Sequence, residues 1–172
     1  MHARRLVAIC TVVAVIAVLA FFVRFVAYPH TDPIGKTGLV VLVNSPGDSN
    51  KIAVAKKVLA VNPTATLLFS EAAGCPDVLH TFAEHVVCFV PHPDTTQGEA
   101  RYAASYDESH DSGGMTVVAP RAQLSRARIR FERCWHGPLA MVEAPMSLVA
   151  TLLRLPYQSL ATIKAETVQR GC

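Results

Sequence analysis

The sequence predicts an α/β domain, a mainly parallel sheet of about five strands with helices on both faces, preceded by one N-terminal transmembrane helix. Three observations predict it. Short apolar, β-branched runs recur along the chain, and stretches with apolar residues at helical spacing lie between them. Those runs are continuous rather than alternating, as in strands buried on both faces. Ahead of them all, Leu6–Val23 (LVAICTVVAVIAVLAFFV) contains no charge.

That first segment is long enough to span a bilayer. Its helix would measure roughly 27 Å at about 1.5 Å per residue, close to the roughly 30 Å hydrocarbon core. Apolar character resumes after Arg24 through Phe25, Val26 and Ala27, and Arg24 and Tyr28 suit an interface. A cleaved signal peptide is the rival. Val18-Leu19-Ala20 resembles a cleavage site, but apolar residues continue past it, and Phe25 stands where a small residue is wanted. The expectation is an uncleaved anchor, residues 1–28, followed by a Pro/Gly-containing linker, 29–37, and one domain, 38–172.

Arg4 and Arg5 precede the span, and Arg24 alone lies close behind it, so the N-terminus is expected in the cytoplasm and the domain outside. Apart from Cys10 in the span there are Cys75, Cys88, Cys134 and Cys172, an even set that reads as disulfides in an oxidising compartment. Three connectivities are possible, and Cys75–Cys88 with Cys134–Cys172 is the preferred one. Four buried free thiols would fit a cytoplasmic domain instead. Cysteine and histidine spacings suggest no metal, and no cofactor is expected. With 51% hydrophobic and 17% charged residues in 172, the chain is not disordered. A formal charge of +3 is too small to imply a nucleic-acid partner. The oligomeric state is left open.

The elements follow in order. Gly38–Asn44 is the first strand, and Ile52, Ala55, Val58 and Leu59 mark a helix over 50–61 that Asn62-Pro63 stops. Ala65–Ser70 is the second strand and Val86–Val90 the third, with a short helix possible between them. Thr96 with Glu99 fits a capping box opening a helix to about Tyr106. Met115–Ala119 is the fourth strand, and Pro120 suits the first turn of the helix after it. Leu139–Glu143 is the fifth, and a last helical region, Ser147–Arg170, is interrupted at Pro156.

Ligands in such folds bind at the carboxyl ends of the strands. Asn44, Ser45, Gly47, Asp48 and Lys51 follow the first strand, and Ser70 and Glu71 the second. Asp94, Thr95, Thr96 and Glu99 follow the third, and Arg121, Gln123 and Arg126 the fourth. Four blocks there, "GDSNKIAVAKKVL", "LLFSEAAGCP", "CFVPHPDTTQGEARYAA" and "VVAPRAQLSRARIRFERCW", resemble the SanA/ElyC/YdcF-like bacterial envelope family across nearly the whole domain. The resemblance implies a Rossmann-like fold, a bacterial membrane location and a part in envelope integrity, with no firmly defined reaction.

It also implies a site, with departures. Asp48 and Lys51 match the family's acidic and basic residues opening the first helix, and Thr96 and Glu99 match its third block. The usual Ser-Gly-Gly after the second strand is Ser70-Glu71-Ala72 here. In the fourth block the family's Thr-Ser is Ala119-Pro120 and its histidine is Gln123, while Arg126 remains. The ligand-binding candidates are therefore Asp48, Lys51, Ser70, Thr96, Glu99, Arg121, Gln123 and Arg126, with Glu99 the candidate catalytic group.

Plainer roles stand beside these. Thr96 and Glu99 could simply cap a helix, Asp48 could face a helix dipole, and Lys51 is expected to be solvated. Arg126 is the best anion candidate, a planar donor group near a helix N-terminus, unless it only pairs with Glu99. Arg128, Arg130 and Arg133 are read as surface, because Leu124, Ala127 and Phe131 form that helix's buried face. Of the scattered histidines only His92, beside the third strand end, is of interest.

Glutamine cannot titrate near neutral pH, so the expected function is binding of an anionic envelope metabolite or precursor rather than catalysis. The alternative is a hydrolase or transferase acting on phosphorylated or lipid-linked envelope precursors, with Glu99 as base and Arg126 on the phosphate. A third reading is an interaction protein whose pocket is closed.

Overall fold

The computed structural model describes residues 2–22, 24, 28–43, 48–70, 75–167 and 171–172. Helix α1, His2–Phe22, is long and apolar enough to cross a membrane, and none of its Arg4–Phe21 stretch is buried against the rest of the chain. Residues 23 and 25–27 of the expected span, the Asn44–Gly47 strand end, the Glu71-Ala72 loop and the 168–170 end of the last helix lie outside the described residues.

The domain is a Rossmann-like α/β fold. Strands β1 (Leu39–Leu42), β2 (Thr66–Ser70), β3 (Val86–Phe89), β4 (Met115–Pro120) and β5 (Leu139–Ala144) form one parallel sheet in the order β3-β2-β1-β4-β5. Every pairing is parallel, with Leu39 of the central strand opposite Thr66 on one side and Met115 on the other. Successive strand side chains point to opposite faces, so a strand covered twice must be apolar at every position. Val40, Leu42, Leu67 and Phe69 accordingly pack under Val54, Ala55, Val58 and Leu59 of α2 (Asp48–Val61). Leu39, Val41, Leu68 and Val117 face the other way. They meet Ala100 and Ala103 of α3 (Thr96–His110) and Leu124, Ala127 and Phe131 of α4 (Arg121–Cys134). A 3-10 turn, Asp77–Thr81, fills the place of the possible short helix between β2 and β3.

Helix α5 (Leu148–Thr167) adds a further layer by packing along α4. It runs through Pro156, where a break was expected. Proline removes one amide donor and crowds the preceding turn, but packing along a neighbouring helix holds the helical path.

The segment before β1 is pinned to the domain at two places. Asp32 N donates to Met141 O at 2.9 Å, and its carboxylate accepts from Met141 N at 2.8 Å and from Arg128 at 2.6 Å. Asn62, at the C-terminus of α2, accepts from Thr37 N and donates to Gly35 O, both at 2.9 Å. Cys75 pairs with Cys88 and Cys134 with Cys172, at Cα separations of 5.4 and 4.8 Å, within the range a disulfide spans. The second bridge ties the C-terminal residues to the end of α4. Gly171 O also accepts from Gln97 at 3.1 Å, and Cys172 O from Arg101, so the tail is held to α3 as well.

Candidate functional site

The loop after β3 sets the geometry. Thr95, extended at φ −155°, is the N-cap of α3, and its hydroxyl accepts from Gly98 N at 3.4 Å. The expected capping box on Thr96 is therefore displaced by one residue. Thr96 instead begins the helix proper, and its buried hydroxyl accepts from Arg126 Nη2 at 3.4 Å. Gly98 is required by close approach, since a side chain there would collide with the backbone of His92 and Pro93. Glu99 is buried one turn further on, 2% exposed.

Arg126, in the second turn of α4, thus faces the start of α3, and α5 closes the third side. Between them lies a cleft of about 400 Å³ lined by Pro93, Thr95, Thr96, Gln97, Arg126, Arg130, Tyr157, Ala161 and Lys164. Three of these carry positive charge and none carries negative charge. Burial holds the Arg126 guanidinium below its ordinary pKa, opposed in part by Tyr157 and Glu99. Burial also lowers Arg130, and the charges of Arg133 and Arg126 add to it. The cleft therefore contains cations that repel one another in a partly desolvated place, which is where an anion gains most. Arg126 Nε is buried without a hydrogen-bond partner among the described residues.

Arg130 corrects the expectation that Arg128, Arg130 and Arg133 are surface residues: it is 4% exposed, and Arg128 is held by Asp32. Arg133 is itself half-buried. The amphipathic pattern of α4 shows its face toward the sheet, but α5 covers part of the face that otherwise reads as solvated. Lys51 is a second correction. It is 1% exposed, not solvated, and donates to Val43 O at 2.9 Å, so it satisfies a backbone carbonyl just past β1.

The remaining sequence candidates do not all reach the cleft. Arg121 pairs with Glu143 at 2.8 Å and does not line it. Ser70 and Gln123 are buried, each with a side-chain oxygen that finds no hydrogen-bond partner among the described residues. Asp48 opens α2, but its side chain is outside the description. His92 and Asp94 are exposed and do not line the cleft. Gln97, Arg130, Tyr157 and Lys164 were not among the sequence candidates. The signal for Gln97 was its place in the first turn of α3 and that for Arg130 its place one turn after Arg126 on α4; only the packing of α5 could bring in Tyr157 and Lys164.

A smaller space lies where the start of α2 meets the ends of β4 and β5. Asn50, Lys51, Pro120, Ala144, Pro145, Met146 and Ser147 surround a space of about 60 Å³ there. A groove of about 470 Å³ lies near the amino ends of β2 and β3, lined by Thr66, His80, Glu84, His85 and His110 among others. It has the wrong location for a ligand site in this fold, and no metal-binding cluster of histidine, cysteine or carboxylates occurs among the described residues.

Fold and cleft together define a class: an α/β domain behind an apolar N-terminal helix, with a cationic cleft at the start of α3. No protein-family model, curated protein or solved structure matches the chain.

Proposed function

We propose that this protein is a membrane-anchored domain outside the cytoplasm that binds an anionic small molecule or envelope precursor and serves bacterial envelope integrity, as a divergent SanA/ElyC/YdcF-like member. The observation that carries the binding reading is the lining of the 400 Å³ cleft by Arg126, Arg130 and Lys164 without a carboxylate. Thr96, Gln97 and Tyr157 add neutral donors of the kind that surround phosphate oxygens. The disulfides support an oxidising compartment, and Arg4 and Arg5 in the first turn of α1 support a cytoplasmic N-terminus in a single-pass arrangement. The family and envelope part of the reading rests on the sequence blocks alone.

Calorimetry of the full chain in detergent, with inorganic pyrophosphate as probe, tests it. Binding should weaken with added salt, and Arg126→Ala should reduce affinity by about 10- to 100-fold, the worth of a charge-assisted hydrogen bond. Unchanged affinity in Arg126→Ala would remove the cleft from consideration.

One observation favours an enzymatic alternative: buried Glu99 interacts electrostatically with Arg126, so a carboxylate stands beside the proposed anion site. Hydrolysis or transfer of a phosphorylated or lipid-linked precursor, abolished by Glu99→Gln, would replace the binding reading with that one.

A further inference from the structure

Among its described side chains, helix α5 exposes an apolar stripe and buries threonines. Val149, Leu153, Leu160 and Ile163 are 67%, 79%, 69% and 43% exposed, while Thr151 and Thr162 are 6% and 1% exposed. At 100° per residue those four fall within about an 80° arc, and the threonines lie opposite. The stripe is about 21 Å long at 1.5 Å per residue. Tyr157, 69% exposed, extends its width on the side that borders the cleft.

We propose that this stripe lies on the surface of the membrane that α1 enters, so that the domain docks by α5 as well as being tethered by α1. Three features select a bilayer as the occupant. The tether is short: from Phe22, the end of α1, to Asp32, fixed on Met141 and Arg128, ten residues reach at most about 36 Å. The tether and α5 use the same helix, since Arg128 of α4 holds Asp32 and α5 packs along α4. The charge also fits. Arg154 and Lys164 outnumber the one carboxylate of α5, Glu166 in its last turn, which suits anionic lipid headgroups. A second copy would have to find this face by diffusion, whereas the bilayer is already within reach of every molecule.

The proposal rests on α1 spanning the membrane, so its test reports the two separately. The full chain is reconstituted in phosphatidylethanolamine/phosphatidylglycerol vesicles, with and without brominated acyl chains that quench indole on contact. The single native Trp135 is 9% exposed and supplies the background to subtract. Val12→Trp on α1 reports the span, and Val61→Trp, exposed at the end of α2 on the other face of the sheet, reports water. Leu153→Trp and Leu160→Trp, two positions in case one disturbs folding, report the stripe. The expected result is loss of emission at both stripe positions approaching that of Val12→Trp, with Val61→Trp unchanged. Full emission in brominated vesicles at both stripe positions, with Val12→Trp quenched, overturns docking and leaves the anchor standing. A blue shift that follows protein density instead of bromination also overturns it, because a second copy then covers the stripe.

Discussion

The two disulfides close loops of different size, and the difference should be measurable. Cys134–Cys172 spans 38 residues and Cys75–Cys88 spans 13. Loop-closure entropy in the unfolded chain gives about 3.9 kcal/mol for the first at 25 °C and about 2.9 kcal/mol for the second. Cys134→Ser/Cys172→Ser should therefore cost the domain about 1 kcal/mol more than Cys75→Ser/Cys88→Ser. In urea this is a fall in midpoint of roughly 2 M against roughly 1.5 M, at a slope near 2 kcal/mol per M. Trp135, which donates to Asp107 at 2.7 Å and is nearly buried, reports unfolding by its emission in the detergent-solubilised full chain. The larger loop also contains α5 and hence Tyr157 and Lys164 of the cleft. Loss of Cys134–Cys172 should thus weaken pyrophosphate binding as well, whereas loss of Cys75–Cys88 should leave it nearly unchanged. Equal destabilisation by the two pairs, or weakened binding only on loss of Cys75–Cys88, would refute the reasoning.

Three further outcomes follow from single contacts. Thr95→Ala should destabilise the domain by about 0.5–2 kcal/mol through loss of the cap on α3, and Thr96→Ala by less, with thermal melts of the two variants as the check. Gly98→Ala replaces a poor helix former, worth up to about 1 kcal/mol in its favour, but the collision with the His92–Pro93 backbone should outweigh that, giving a net loss of stability in urea titrations. Burial alone would raise the Asp32 carboxyl, but the Met141 amide and Arg128 outweigh it and hold its folded pKa below the ordinary 3.8. Its contribution is therefore complete above the unfolded pKa and disappears as pH falls through the folded one. Asp32→Asn should flatten the loss of stability on acidification between about pH 5 and pH 2 relative to wild type.

How far these residues could be read in advance depends on the range of the interactions that place them. The strands and the helices α2–α4 were legible because the apolar period is local and each face of the sheet imprints it on the sequence. Leu39–Leu42 is apolar throughout because it is covered twice, and Asn62-Pro63 stops α2 by chemistry internal to the chain. Thr96, Glu99 and Arg126 could be singled out because strand ends and the helix starts after them converge in any such sheet. The N-cap was missed by one residue because Thr95 and Thr96 offer the same hydroxyl, and only the extended backbone at Thr95 selects it.

By itself, then, the sequence determined an apolar helix of membrane length, a parallel α/β domain and an even set of cysteines with one favoured pairing. Each of these follows from the kinds of residue present and their spacing. The tertiary structure decided which arginines are solvated and what the cleft is made of. Tyr157 and Lys164 meet Arg126 only because α5 returns along α4, and Lys51 is buried with its ammonium donating to Val43 O. A helical period records which face is apolar, but not whether a second helix covers the polar one. That contact is made between segments distant in the chain, so it leaves no periodic mark in the sequence.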